Sequence, residues 1–208
     1  VELLRLALTE PRFDEEPVAR IRSQLLAGLR RQTEDPDVLA RRALFRGLFP
    51  DHPYGQPVEG GEETVEAITV DNLRGFVAGR LARDNLIVGV VGDITAAELG
   101  PVLDQAFGAL PAEAAPWKLP EVEVDGDGAI AVIDKAFPQS TIVFGQRGVE
   151  RDDPDYYAAY VLNHILGGGG FTSRLYTEVR ETRGLAYSVY SALVPLDVAG
   201  VIVGGAGT

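Results

Sequence analysis

The sequence predicts an α+β fold in which antiparallel sheets are flanked by helices. Three observations point to it. The first half carries apolar residues at helical spacing, as in Val18, Ile21, Leu25 and Leu29. Short β-branched runs, such as Leu86-Ile-Val-Gly-Val-Val91, interrupt the helices and end at glycine. The strands of the second half fall in pairs that look joined as hairpins, not through the helical crossovers of a doubly wound parallel sheet.

The elements follow in order. Residues 17–31 read as a helix with one apolar face. Asp35-Pro36 caps a second helix, with proline at its first position, running to about Phe49. Asp51-His-Pro-Tyr-Gly55 is a turn. Thr69 opens a third helix that turns Leu73, Phe76, Val77 and Leu81 inward. Residues 85–91 read as a buried strand, stopped at Gly92-Asp93, and Thr95 caps a helix carrying Leu99, Val102, Leu103 and Phe107.

The stretch 110–120 holds three prolines and no period, which marks it as a connection. Beyond it, 129–134 and 140–145 read as strands, and Asp153-Pro154 caps a helix through Leu166. A run of four glycines, Gly167 to Gly170, follows. Thr172 or Ser173 then caps a helix that Gly184 ends in a left-handed conformation. Tyr187 alternates with Leu185 and Val189 on a strand, and 201–205 begin another.

Composition excludes several function classes. A net charge of −12 supplies no basic patch for nucleic acid or an anionic membrane. No apolar run approaches a membrane span. With no cysteine, disulfides and thiolate metal sites are ruled out, and either redox compartment is compatible. The chain opens on Val1 without a signal-like pattern. Compartment therefore stays open, export to the periplasm included.

The glycine run is not a phosphate loop, because neither Gly-Lys-Ser/Thr nor a G-x-G-x-x-G register accompanies it. It reads as a hinge. His52 and His164 lie far apart and neither has an acidic or histidine partner four residues on, weak grounds for a zinc site that needs three protein ligands. On pattern alone Arg180 is a cation favoured by the helix end and Tyr187 a half-buried tyrosine.

An ordered set of motifs changes that weighting. It runs through Pro11-Arg-Phe13, Asp35-Pro36, His52-Pro-Tyr-Gly55, the 85–93 run, Leu166-Gly-Gly-Gly-Gly-Phe-Thr-Ser-Arg-Leu175 and Arg183-Gly-Leu-Ala-Tyr-Ser188. Together these resemble the pitrilysin/insulinase-type (inverzincin) zinc peptidases. More closely, they resemble the non-catalytic, "inactive domain" members found as subunits of heterodimeric bacterial zinc peptidases and of mitochondrial processing peptidase. The resemblance implies a metallohydrolase-like two-domain fragment. Residues 1–110 would be the second half of an N-terminal peptidase-like domain, 111–125 the interdomain connection and 126–208 the first half of a C-terminal one.

In the family, His-x-x-Glu-His on a helix holds the zinc, and this motif precedes the point where the resemblance begins. The family's third ligand, a glutamate, falls on Ile21 when the helices are aligned on Arg22, with Gly28 at the second acidic position. Isoleucine cannot coordinate zinc. The resemblance therefore implies a non-catalytic subunit, without peptidase activity or a metal of its own. Its expected partner is a zinc-bearing homologue that supplies the metal-activated water, and a homodimer is the form open to it in isolation. Arg180 and Tyr187 match the family's substrate-clamping pair. The arginine would hold backbone carbonyls of a peptide or unfolded segment, and the tyrosine would hydrogen-bond the scissile carbonyl across the shared chamber. Two alternatives remain: an active zinc peptidase whose motif lies upstream, and a structural assembly subunit of the same fold.

Overall fold

The computed structural model describes residues 1–125 and 128–208. They divide into two compact units, Val1–Leu26 with Glu62–Lys118, and Ala27–Gly61 with Leu119–Thr208.

The first unit is helical. Helix α1 (Glu2–Thr9) packs against α6 (Ala96–Phe107). Between them in sequence come the start of α2 (Glu15–Gln32), α4 (Glu62–Ala67) and α5 (Val70–Arg80). The termini explain where the helices begin. Thr69 closes a capping box with Asn72 on α5, and Thr95 closes one with Glu98 on α6. Neither α1 nor α4 is expected from sequence; both are short, at eight and six residues. Residues 111–115 bend at 112–113 and run along this unit, with Arg83 N–H on the Pro111 carbonyl at 2.9 Å and Ala115 N–H on the Gly79 carbonyl at 2.8 Å.

Two expected strands do not form. Residues 85–91 and 129–134 are irregular, without a ladder to any described residue. Ile87 is 97% exposed and Ile130 91% exposed. Their β-branched composition suits a pleated surface, but a strand exists only where another strand satisfies its backbone.

The second unit holds the sheet. Strands β1 (Thr141–Arg147), β2 (Ser188–Pro195) and β3 (Gly200–Gly207) are antiparallel in the order β1-β3-β2. The register sets Val143 opposite Gly205 and Tyr190 opposite the same glycine from the other side. The α+β class and the antiparallel pairing are thus those the sequence predicts.

Helix α3 (Pro36–Leu48) begins as expected, with Asp35 accepting from the N–H groups of Asp37 and Val38. It packs against β1, and the core below it consists of Leu48, Phe49, Ala199 and Val201. Phe49 and Val201 are fully buried, each worth about 1.5–3 kcal/mol in apolar transfer. Val122 and Val124 pack on that core, and Asp125 N–H bonds the Leu48 carbonyl at 3.0 Å. Tyr54 ties the 3₁₀ turn Pro53–Gly55 to the β2–β3 connection, its hydroxyl accepting from Asp197 and Val198 N–H.

Helix α7 (Tyr156–Asn163) also packs on β2 and widens into a π-helical turn over His164–Gly168. A second π-helical segment covers Tyr176–Thr182. Ser173 starts it, its hydroxyl donating to the Gly170 carbonyl at 2.8 Å and accepting from Tyr176 N–H at 3.4 Å. Gly184, at φ 61°, ends it, and Leu185 N–H returns to the Val179 carbonyl at 3.0 Å. π-helical turns are rare and recur at functional sites.

Candidate functional site

One end of the three-stranded sheet opens into a hollow of ≈ 260 Å³. Its floor owes much to Gly205 and Gly207 on β3, which present no side chain. Tyr190 leans over the first of these, its ring carbons about 3 Å from where a Cβ on Gly205 would stand. The rim carries hydroxyls and an amide, from Gln139, Ser140, Tyr187, Ser188 and Thr208, and one carboxylate, Asp37 on the first turn of α3.

The backbone here is fixed beyond the regular ladder. Tyr187 N–H donates to the Gly207 carbonyl at 2.8 Å, and Thr208 N–H to the Ser140 carbonyl at 3.1 Å. Thr208 Oγ1 accepts from Ser140 N–H at 3.2 Å. Tyr187 is thereby anchored at the bend just ahead of β2, and the residue stays 72% exposed. A phenol in this position can donate a hydrogen bond to a carbonyl brought to the hollow.

Arg180 belongs to the second π-helical segment. Its guanidinium stands over the Tyr176 ring at 4.8 Å, and that ring meets Phe171 edge-on with centroids 5.0 Å apart. The cation–π contact orients the guanidinium. Among the described residues no carboxylate pairs with it, so its five donors remain available. Arg183, the other arginine of this turn, approaches Glu178 at 3.8 Å. Arg180 and Tyr187 lie in the same unit, but no hydrogen bond or ring stacking joins them, and only Tyr187 lines the hollow.

Tyr190 and Arg41 are participants that the sequence does not reveal. Arg41 Nη2 donates a long hydrogen bond of 3.5 Å to the Tyr190 hydroxyl, bracing the wall of the hollow. Their separation of 149 positions leaves no local signal. The Tyr187-Ser-Val-Tyr190 spacing was the one available hint, and it reads equally well as ordinary strand packing.

The residues do not fit a zinc ion. Ile21 lines an apolar hollow of ≈ 470 Å³ with Phe13, Val18, Leu25, Val65 and Ile68. The carboxylate there, Asp14, is paired with Arg12. Arg22 Nη2 is held on the Ile68 carbonyl at 2.6 Å. His52 is buried with both ring nitrogens engaged: Nδ1 accepts from Tyr54 N–H at 3.2 Å, which leaves Nε2–H to donate to the Pro120 carbonyl at 3.1 Å. Among the described residues no three of histidine, cysteine, aspartate or glutamate cluster as a metal site. Nor is any described helix long and apolar enough to cross a membrane.

Known proteins resemble the chain over most of its length. An uncharacterized zinc protease of Mycobacterium leprae is 32% identical over 196 residues, covering 93% of this chain and 44% of the relative. A Helicobacter pylori protein named a non-peptidase homolog is 30% identical over 188 residues, covering 90% of the chain and 43% of that protein. The crystal structure of a peptidase M16 inactive domain from Pseudomonas fluorescens superposes with a TM-score of 0.91 at 35% identity, over 99% of this chain and 50% of that one. The chain thus spans about half the length of the proteins it matches. Residues 67–207 match the family model described as the peptidase M16 inactive domain, and the chain belongs to that family.

Proposed function

We propose that this chain is the non-catalytic half of a two-chain zinc endopeptidase, supplying substrate-binding groups to a zinc-bearing homologue. The observation that carries the proposal is Tyr187: an exposed phenol at the bend ahead of β2, lining a polar hollow, in a chain of the inactive-domain family. A tyrosine serving only the core would bury its ring. In this reading Tyr187 donates to the scissile carbonyl as charge develops on its oxygen, and Arg180 holds a neighbouring backbone carbonyl of the bound peptide. The metal and its activated water belong to the partner.

Several features support the division of labour. Ile21 stands where a zinc ligand would be needed, and its surroundings are apolar. Arg180 is stacked but not ion-paired, so substrate contact costs it no salt bridge. Of the four glycines, Gly170 has open space around it and gives the segment bearing Arg180 a place to pivot when substrate enters, whereas Gly167 to Gly169 are closely packed. Residues 1–110 and 126–208 are read as parts of two peptidase-like domains, with 111–125 connecting them.

The test is reconstitution. The chain, in the longest form its gene encodes, is mixed with a zinc-motif homologue from the same organism. Cleavage of an unfolded protein substrate is then followed for each chain alone and for the mixture. Activity confined to the mixture is expected. Activity of this chain alone would point to a metal motif of its own. A stable complex with no dependence of cleavage on this chain would favour a purely structural subunit.

A further inference from the structure

We propose that Tyr176 is a positioning residue for Arg180: the face of its ring, braced by Phe171, holds the guanidinium in place for a substrate carbonyl while leaving the N–H donors available. The role in substrate binding rests on the function proposed above; the tether itself does not.

The three side chains belong to one local stretch. Phe171 sits on the 3₁₀ turn Gly170–Thr172. Ser173, only 1% exposed, binds that turn to the segment that follows: its hydroxyl donates to the Gly170 carbonyl and accepts from Tyr176 N–H. The rings of Phe171 and Tyr176 therefore start from adjoining turns. They meet at 89° with centroids 5.0 Å apart, the edge-to-face arrangement that aromatic quadrupoles favour. Tyr176 is half-buried, and the Arg180 guanidinium lies 4.8 Å from its centroid, inside the range of about 6 Å for a cation–π contact.

The two arginines of this turn are held differently. Arg183 approaches the Glu178 carboxylate at 3.8 Å. The positions one helical turn from Arg180 are Tyr176, Thr177, Arg183 and Gly184, none of them acidic. A carboxylate orients an arginine by occupying N–H groups of its fork. A ring face attracts the cation as a whole and occupies none of them. The second kind of support suits an arginine whose donors are to meet peptide carbonyls. The plain alternative is a helix-end cation favoured by the dipole, with Tyr176 as cover for the surface beneath. Such a charge would not depend on which side chain it rests upon.

The experiment uses the chain in the longest form its gene encodes, alone and reconstituted with the zinc-motif homologue, and compares Tyr176→Leu with Tyr176→Phe. In the arginine-labelled chain, the Arg180 side-chain protons are assigned by their loss in Arg180→Ala. They should be shifted upfield by the Tyr176 ring current; Tyr176→Leu should abolish the shift and Tyr176→Phe, which keeps the ring, should preserve it. In the complex, Tyr176→Leu should raise the peptide KM about two- to fivefold, the scale of one exposed cation–π contact, with Tyr176→Phe close to the parent. In an Arg180→Ala background Tyr176→Leu should raise KM no further, because a residue acting through Arg180 has nothing left to position. An unmoved Arg180 resonance in Tyr176→Leu, or the same rise in KM in both backgrounds, would overturn the tether. A ring-shifted Arg180 in the parent, with KM unchanged in Arg180→Ala, would sustain the tether and overturn the clamp, so the two failures are distinguishable.

Discussion

Gly167 lies against Ser191 with no room for a side chain between them. A Cβ on the glycine would stand 2.4 Å from the Ser191 backbone nitrogen and 2.5 Å from its hydroxyl oxygen. The π-helical turn after α7 therefore sits directly on β2, the strand that begins beside Tyr187. The contact is completed by Asn163, whose Nδ2 reaches the Ser191 carbonyl at 3.4 Å.

Gly167→Ala should accordingly destabilise the chain by about 1–3 kcal/mol, the usual cost of overpacking a close contact. Urea unfolding followed by circular dichroism measures it. Because Gly170 has open space at its Cβ position, Gly170→Ala should cost less, with strain at its φ of 61° as the only penalty. Equal stabilities for the Gly167 variant and the parent would show that the turn does not press on β2.

The capping box of α6 makes a pH-dependent prediction. Glu98 is held below the ordinary glutamate pKa, first by the hydrogen bond from the Thr95 hydroxyl at 2.7 Å and then by that from Thr95 N–H at 2.9 Å. A carboxyl whose folded pKa is depressed stabilises the fold above its unfolded pKa. That contribution is lost as pH falls from the ordinary glutamate pKa through the lower folded one. Thr95→Ala should bring the Glu98 titration midpoint back towards the ordinary value and cost about 0.5–2 kcal/mol as a lost cap. Carbon-detected NMR of the Glu98 carboxyl reads the first effect; an unmoved midpoint would contradict it.

Zinc should not be retained. Ile21 and its apolar neighbours offer no ligand, and His52 already uses both ring nitrogens within the fold. Metal analysis after dialysis should find far less than one zinc per chain. A stoichiometric, tightly held zinc would contradict the assignment of the metal to a partner.

Sequence and structure agree where a local signal suffices. Asp35-Pro36, Thr69 and Thr95 each mark a helix start because the capping chemistry lies within three or four residues. Gly184 likewise marks its own left-handed turn. They part where structure needs a partner. Residues 85–91 and 129–134 have strand composition, but composition records a preference for a pleated surface and says nothing of what pairs with it. The π-helical turns were also hidden, since inserting one residue into a helical turn leaves the hydrophobic pattern nearly intact. Tyr187, which lines the hollow, was legible through a local motif; Arg180, read from the same motif, does not line it. Asp37, Gln139 and Tyr190, which build the hollow around Tyr187, come together only through the fold.

Arg180→Ala should weaken peptide binding as well as turnover, because a guanidinium holding a backbone carbonyl contributes before the transition state. A rise in KM together with a fall in kcat/KM is the expected signature. The same substitution should leave assembly of the two chains intact, since the residue is exposed and its guanidinium stands over Tyr176 of the same chain.

Peptidase turnover of the reconstituted two-chain complex carrying Tyr187→Phe bears most directly on the proposed role of this chain. The substitution removes one hydroxyl and keeps the ring, so folding and assembly should be unchanged. Turnover should fall by about a hundredfold, the scale of losing one donor to a developing oxyanion. Full turnover in that variant would contradict the clamp and leave Tyr187 as an exposed tyrosine on a structural subunit.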